Sequence, residues 1–391
     1  MTLEYTHRVT SLMGNTVAAT FTGAGTNYIV EIPVGDLYLV YVDSNSDVVF
    51  SKSTNGGISW SNPTVVFTGT TTALAVWYDR DSGIAAGLIH CAYTESVTDD
   101  TLYRTINTES SDALSTQTTI FAGGTTAANG QLTIARARGG NVSCRTCIDN
   151  GAEGGFAVLV NANVPDGAWA ARTINEALAG SDQMILVPGW AVDTNDMMAF
   201  FWDAGSDEIS RQLYDDSADS WGETSIATSM VETAASGSFP HFAAAVDIAN
   251  SRNLLVAWSA VDTLNADLRC WHVTESAITE LTNVVQNSTD DQGLCGISIN
   301  TVTNAWTVVY AGKSDGSETW NTTVNIYTKT SLDSGSTWGS ETKISNYSML
   351  LNWLITCPRR TGPFIAASYI FPIAFYTERS TPRATAALGM S

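Results

Sequence analysis

Lysine is nearly absent from this sequence. Lys52, Lys313, Lys329 and Lys343 are the four in 391 residues, and lysine and arginine together supply 18 cations against 39 acids. A formal net charge of −21 excludes nucleic-acid binding that depends on basic side chains neutralising phosphates, and it disfavours anionic membrane surfaces. Long apolar runs are also missing. No stretch approaches the roughly 18 apolar residues of a membrane span, so no membrane insertion is expected. The N-terminus "MTLEYTHRVTSLMGN" lacks a basic start followed by an apolar core, and no Sec-type signal peptide is expected. Charged residues make up 15%, against about 25% in an ordinary soluble domain. Ser, Thr, Asn, Gly and Ala fill the difference, and no segment reads as a long amphipathic helix. Thr and Val favour strands and Gly and Asn favour turns. The composition points to an all-β protein.

Cysteine is sparse as well. Six are scattered at 91, 144, 147, 270, 295 and 357, too few for a disulfide scaffold. "SCRTC" is formally C-x-x-C, but Cys144 and Cys147 fall in a strand-like run where an odd offset sends them to opposite faces. No second pair completes a metal site, so buried, reduced core cysteines are expected. The histidines at 7, 90, 241 and 272 are isolated and read as packed sheet residues rather than ligands.

What is present is repetition. Apolar runs recur as "LYLVYVD" at 37, "LIHCAYT" at 88, "VSCRTCID" at 142, "MMAFFWD" at 197, "LLVAWSA" at 254, "WTVVYAG" at 306 and "FIAASYI" at 364, with starts 51 to 58 residues apart. Before each lies another apolar run and a turn; after each comes a polar turn and a third strand, and in most a fourth. Four antiparallel strands per unit of about 50 residues is the pattern of a β-propeller blade. The expectation is one domain over 1–391, with seven blades near 12–69, 70–123, 124–177, 178–229, 230–287, 288–346 and 347–391. Residues 1–11 form a strand that pairs with the last blade and closes the ring, removing exposed edges. Six blades with an extra sheet is the alternative.

Two stretches share one turn. "SKSTNGGISW" ends at Trp60 and "KTSLDSGSTW" at Trp338, and both fit S-x-[ND]-x-G-x-[ST]-W. Ser53, Asn55, Gly57, Ser59 and Trp60 in the first correspond to Ser331, Asp333, Gly335, Thr337 and Trp338 in the second. Asn55 or Asp333 can accept backbone N–H bonds inside the turn, and the glycines permit positive φ. "NVPDGAW" ending at Trp169 and "YDDSADSW" ending at Trp221 are weaker echoes. The four tryptophans are expected to pack between sheets.

These residues resemble the Asp-box (BNR) repeat of the sialidase superfamily. The resemblance implies a sialidase-type propeller in which the boxes lie at the periphery, away from the active face. It also implies an Arg-Ile-Pro motif whose arginine binds a substrate carboxylate. Here "EIPVGD" places Glu31 at that position, before Ile32 and Pro33, which turns attraction for an anion into repulsion. Arg80, Arg145, Arg211, Tyr369 and Tyr376 are single candidates for other family positions, with no spacing that singles them out. No catalytic residue is therefore assigned.

The turns between second and third strands read "DSNSD", "ESVTDD", "DNGAEGG", "DAGSDE", "VDTLNAD" and "SDGSE". They lie on the face opposite the boxes and give it a negative field that disfavours anionic glycans. Two readings stay open: ordinary hairpin chemistry, or a calcium-binding crown with Asp99, Asp100, Asp203 and Asp207 among its ligands. No cofactor is required by any motif. Arg136 and Arg138 in "IARARGG" share a strand face and read either as an anion site or as structural ion pairs. Trp320, in "KSDGSETWNTT", is a candidate sugar-stacking platform. The combined reading is a non-enzymatic propeller for surface recognition or decoration, binding a glycan or another virion or surface protein. It is placed on a virus particle of phage type, or outside the cell after lysis. A glycoside hydrolase of exo-sialidase type with a divergent site is the alternative.

Overall fold

The computed structural model describes residues 8–15, 28–57, 59–78, 87–124, 132–148, 153–160, 167–175, 182–203, 205–230, 242–247, 252–258, 268–286, 293–300, 303–318 and 323–344, and the strands 349–350, 355–356, 360–361, 373–377 and 384–389. The described regular structure is all strand. No helix among the described residues is long and apolar enough to cross a membrane.

Six four-stranded antiparallel blades follow one another along the chain, each with its strands in chain order. Blade 1 is Ile29–Glu31, Leu37–Val42, Val48–Ser53 and Thr64–Phe67. Blade 2 is Thr71–Tyr78, Leu88–Glu95, Asp100–Asn107 and Thr118–Phe121, with Ala113–Leu114 pairing on its third strand. Blade 3 is Leu132–Arg136, Val142–Ile148, Glu153–Leu159 and Trp169–Ala171. Blade 4 is Gln183–Pro188, Met197–Asp203, Glu208–Asp215 and Ser220–Ala227. Blade 5 is Phe242–Asp247, Arg252–Trp258, Leu268–Val273 and Ile278–Glu280. Blade 6 is Gly293–Asn300, Trp306–Ala311, Ile326–Ser331 and Thr342–Lys343, and Arg360–Thr361 adds a parallel pairing on its first strand.

The pleat explains the continuous apolar runs. In the first strand of blade 2, Leu74 and Val76 join the core shared with blade 1, while Ala73, Ala75 and Trp77 join the core that runs on through blade 3. Successive side chains point to opposite faces, and in a propeller both faces meet another sheet. A middle strand is therefore mostly apolar, with its few polar side chains buried, as Ser143 and Arg145 are in blade 3. "MMAFFWD" in blade 4 is buried at every residue except Asp203. The fourth strand "SWGETSIA" is exposed along most of its length, because it forms the outer rim, where polar side chains blunt an unpaired edge.

The expected blade count is corrected from seven to six. The second strand of the seventh unit, "FIAASYI", lies outside the described residues. The remaining four-stranded sheet is assembled from the two chain ends: Arg8–Asn15 pairs with Ala384–Gly389, which pairs with Ile373–Thr377 and then Ile355–Thr356. The strand expected at residues 1–11 runs instead from Arg8 to Asn15. It joins the chain ends, with Arg8 opposite Gly389 and Ser11 opposite Ala386, in place of the expected closure of a seventh blade.

Candidate functional site

The two box turns have one hydrogen-bond pattern. Ser53 Oγ accepts from Gly57 N–H at 2.8 Å, and Ser331 Oγ accepts from Gly335 N–H at 2.7 Å. Asn55 Oδ1 accepts from Ser59 N–H at 2.9 Å, and Asp333 Oδ1 accepts from Thr337 N–H at 2.8 Å. Thr337 Oγ1 also donates to Asp333 Oδ2 at 2.6 Å, and this bond comes first among those that hold the Asp333 carboxyl below the ordinary range. Gly57 and Gly335 have φ of 87° and 82°, where a side chain is strained.

The terminal tryptophans act between blades. Trp338 Nε1 donates to Thr282 O of blade 5 at 2.8 Å, and Trp221 Nε1 donates to Thr173 O of blade 3 at 2.8 Å. Trp169 Nε1 reaches Thr118 Oγ1 of blade 2 at 3.4 Å. The turns ending at Trp169, Trp221 and Trp338 thereby tie neighbouring blades together.

The acidic turns on the opposite side are also occupied with local bonds. Asp99 and Asp207 take φ of 54° and 53°, as Ser46 does at 67° in blade 1; Asp tolerates this left-handed region better than most residues. Asp100 Oδ1 accepts from Gly123 N–H at 2.6 Å. Asp203 Oδ1 accepts from the N–H groups of Gly205 and Ser206 at 2.8 and 3.2 Å. Among the described residues no group of three His, Cys, Asp or Glu side chains is placed to hold a metal ion.

Other sequence candidates disperse. Arg136 is buried at the end of a blade 3 strand, and Arg138 Nη1 donates to the main-chain oxygen of Trp190 in blade 4. Arg138 is thus a tie between blades. Glu31 is 2% exposed in the inner strand of blade 1. Arg145 Nη1 donates to Gln212 Oε1 at 2.8 Å. Cys91, Cys144 and Cys270 are buried free thiols, and burial pushes the Cys91 thiol up to about 12. His90 is fully buried, with Nδ1 at 2.6 Å from Tyr103 Oη. Trp320, Arg80 and Tyr369 lie outside the described residues, as do the side chains of Cys147, Cys295 and Tyr376.

The structure instead opens a cleft of about 380 Å³ on the box side, between blades 4 and 5. Leu213 pairs with Gly222 and Asp215 with Ser220, which puts these four residues on one face of the blade 4 sheet. Arg211, on the same face, donates to the main-chain oxygens of Thr274 at 2.6 Å and Glu275 at 2.9 Å. That face is therefore turned to blade 5, and Glu275 completes the wall. Tyr214 and Trp221 border the cleft too, but their rings pack on Phe156 of blade 3.

At the inner end, Gly189 N–H donates to Asp196 O at 2.9 Å. A β-carbon at Gly189 would lie 2.8 Å from that oxygen, so the glycine is what lets the two strands close. This places Trp190 and Asp196 together in the wall. Trp190 is 8% exposed, and its indole N–H has no acceptor among the described residues.

Three acidic residues, Asp196, Asp215 and Glu275, line this space. Asp215 Oδ1 accepts from Ser217 Oγ at 2.7 Å and from the N–H groups of Ser217 and Ala218 at 2.9 and 3.0 Å. These bonds hold its carboxyl below the usual range, so it stays ionised. Asp196 Oδ1 accepts from Asp216 N–H at 3.0 Å. The Glu275 carboxylate has no hydrogen bond among the described residues. Beside the cleft, burial pushes the Asp216 carboxyl up, aided by the charges of Asp196, Asp219 and Asp215 and opposed by Arg172. The arrangement offers carboxyl oxygens, the Ser220 hydroxyl beside that of Tyr214, an apolar patch at Leu213 and no lysine or arginine in the wall. In the sequence, Asp215 and Trp221 belong to a box-like turn that carries no mark of a site. The local signal is "PGWAVDTND", where a tryptophan sits in a tight strand connection.

Blades of this kind, arranged with their first strands side by side, define the class: a β-propeller. No family model matches the sequence, and no curated protein does. Among solved structures, a fungal alcohol oxidase of the AA5 family aligns over 99% of this chain and 76% of its own, at 9% identity and a TM-score of 0.60. An ulvan lyase of polysaccharide lyase family PL25 aligns over 97% of this chain and 95% of its own, at 9% identity and a TM-score of 0.58. AofleA of Arthrobotrys oligospora, as a mutant, aligns over 98% and 86%, at 7% identity and a TM-score of 0.50. At such identities these likenesses show the fold alone.

Proposed function

We propose that this protein is a glycan-binding β-propeller without catalytic activity, and that the cleft between blades 4 and 5 is its binding site. The observation that carries the reading is the cleft wall, in which Asp196, Asp215 and Glu275 offer carboxylate oxygens beside the apolar edge of Leu213 and Trp190. Sugars are bound by this combination, because carboxylates accept from several hydroxyls while an apolar surface covers the C–H face. Asp215, held ionised, suits an acceptor and does not suit a general acid, which needs a raised pKa. The sialidase-superfamily assignment is supported by the two box turns and their shared hydrogen bonds. Glu31 at the arginine position weighs against the hydrolase alternative. Placement on a virus particle is supported by composition, and detection at fixed copy number in purified particles tests it.

Gly222 provides the direct test of the site. It shares the cleft face with Leu213, and a β-carbon there would meet nothing within 4 Å. Gly222→Leu fills the cleft without disturbing the sheet. On an array of neutral and amine-bearing glycans, the wild-type protein is expected to bind, and the variant to lose at least about tenfold in affinity with an unchanged Tm. A wild-type protein that binds no glycan, or a variant that binds equally well, rejects the reading.

A further inference from the structure

The box turn of blade 1 carries a reactive pair that its counterpart in blade 6 lacks. Asn55 is followed by Gly56, where the later turn has Asp333 followed by Ser334. An asparagine carboxamide is open to attack at Cγ by the main-chain nitrogen of the next residue, and a glycine there has no β-carbon to block the approach. In the later turn the same carbon belongs to a carboxylate that hydrogen bonds keep ionised, led by the one from Thr337 Oγ1, and an anion resists a nucleophile.

The geometry favours attack at Asn55. The Gly56 N–H makes no hydrogen bond among the described residues, whereas the following N–H, of Gly57, is held by Ser53 Oγ at 2.8 Å. Asn55 is exposed, so water reaches the reacting atoms. Two donors converge on its Oδ1: the Ser53 hydroxyl at 2.9 Å and the Ser59 N–H at 2.9 Å. Donors fixed at this distance from an oxygen on which negative charge develops lower the barrier to attack on its carbon. The leaving nitrogen is placed as well, since Asn55 Nδ2 donates to Ser59 Oγ at 2.8 Å. A hydroxyl both accepts and donates, so Ser59 can return a proton to that nitrogen once it becomes basic.

We propose that Asn55 is a site of deamidation promoted by its own turn in the folded protein. Water takes the Gly56 amide proton, the bond from Gly56 N to Asn55 Cγ forms, and the Cγ–Nδ2 bond breaks with release of ammonia, leaving a cyclic imide. Water then opens the ring. Attack at Cγ restores the main chain with aspartate at position 55, and attack at the main-chain carbonyl carbon gives isoaspartate. The balance is carboxamide and water to carboxylate and ammonium, with no redox change. Aspartate keeps the turn, because its second oxygen can accept from the Ser59 hydroxyl as Asp333 Oδ2 accepts from Thr337 Oγ1 at 2.6 Å. Isoaspartate adds its β-carbon to the main chain and breaks the register between Ser53 and Ser59. The modification thus adds a negative charge to blade 1 and, in one of its products, opens the turn.

Incubation of the full chain at mildly alkaline pH, with peptide mass spectrometry at Asn55, tests the proposal. Conversion in the folded protein is expected to be at least as fast as in the same chain unfolded in guanidinium chloride at equal pH and temperature. Slower conversion in the folded protein overturns it, because the turn would then protect the amide. Ser53→Ala removes one of the two donors on Oδ1 and is expected to slow conversion in the folded protein by at least about threefold, with no effect in the unfolded chain. Ser53 also holds the Gly57 N–H, and a turn that was merely loosened would convert faster. An unchanged or faster rate in the folded variant therefore overturns the proposal too.

Discussion

The indole N–H of Trp338 donates to the main-chain oxygen of Thr282, 2.8 Å away and 56 residues earlier. The same turn accepts a bond back, from Thr282 Oγ1 to Ser336 O at 2.7 Å. Blade 6 is thereby tied to blade 5 at the rim, where the cores of the two sheets thin out. Trp221 ties blade 4 to blade 3 in the same way. Trp60 differs: its indole N–H is buried and has no acceptor among the described residues.

This contrast predicts opposite results from one substitution. Trp338→Phe removes a bond between blades and is expected to destabilise the protein by about 1 kcal/mol. Trp60→Phe removes an unsatisfied donor and is expected to leave stability unchanged or slightly raised. Denaturant midpoints of both variants against wild type check it.

The two box glycines are expected to differ as well. Gly57→Ala meets nothing closer than 3.7 Å, so only the positive φ opposes it, a cost of about 1–2 kcal/mol. At Gly335 the added β-carbon would lie 2.6 Å from Leu281 Cδ1 and 3.1 Å from Trp306 Cζ3. Crowding there adds about 1–3 kcal/mol. Equal destabilisation by the two substitutions would contradict the packing described between blades 5 and 6.

His90 makes stability fall in mild acid. Burial, with the charge of Arg136 nearby, lowers its pKa to about 3, while in the unfolded chain it titrates near 6.5. The unfolded state therefore binds the extra proton first. The stabilisation is complete above about pH 6.5 and is lost as pH falls from there toward 3, at up to about 1.4 kcal/mol per pH unit. His90→Gln is expected to show a smaller loss of Tm between pH 7 and pH 5 than wild type, whatever its Tm at pH 7.

Calcium and chelator are expected to leave the melting temperature unchanged. The acids proposed for a calcium crown occupy left-handed turn positions, as at Asp99 and Asp207, or accept main-chain N–H bonds, as at Asp100 and Asp203. Thermal melts with millimolar calcium and with excess chelator check this, and a calcium-dependent rise would favour the crown.

The repeat and the box turns were legible in the sequence because they are local. A fully buried middle strand such as "MMAFFWD" shows its environment in its own residues, and a turn such as that of Ser331 to Trp338 closes on itself within eight positions. The blade count was not legible in the same way. The last unit has the right strands in outline, but whether a run of apolar residues completes a blade depends on its partners. Here Arg8–Asn15, from the other end of the chain, lies beside Ala384–Gly389.

The candidate site was missed for a related reason. Asp196, Asp215 and Glu275 are separated by 19 and 60 positions in the numbering, and nothing in their local sequence distinguishes them from other turn acids. Arg136 and Arg138 stood out by spacing, yet Arg138 is used on the carbonyl of Trp190.

By itself the sequence determined the strand periodicity, the four-stranded unit and the form of the box turns, since each follows from hydrophobic alternation and turn chemistry within a few residues. Only the tertiary structure decided which face of blade 4 meets blade 5, which acids already accept main-chain bonds, and where three acidic residues line one cleft. Those outcomes depend on how two sheets approach each other, a distance set by packing between segments far apart in the chain.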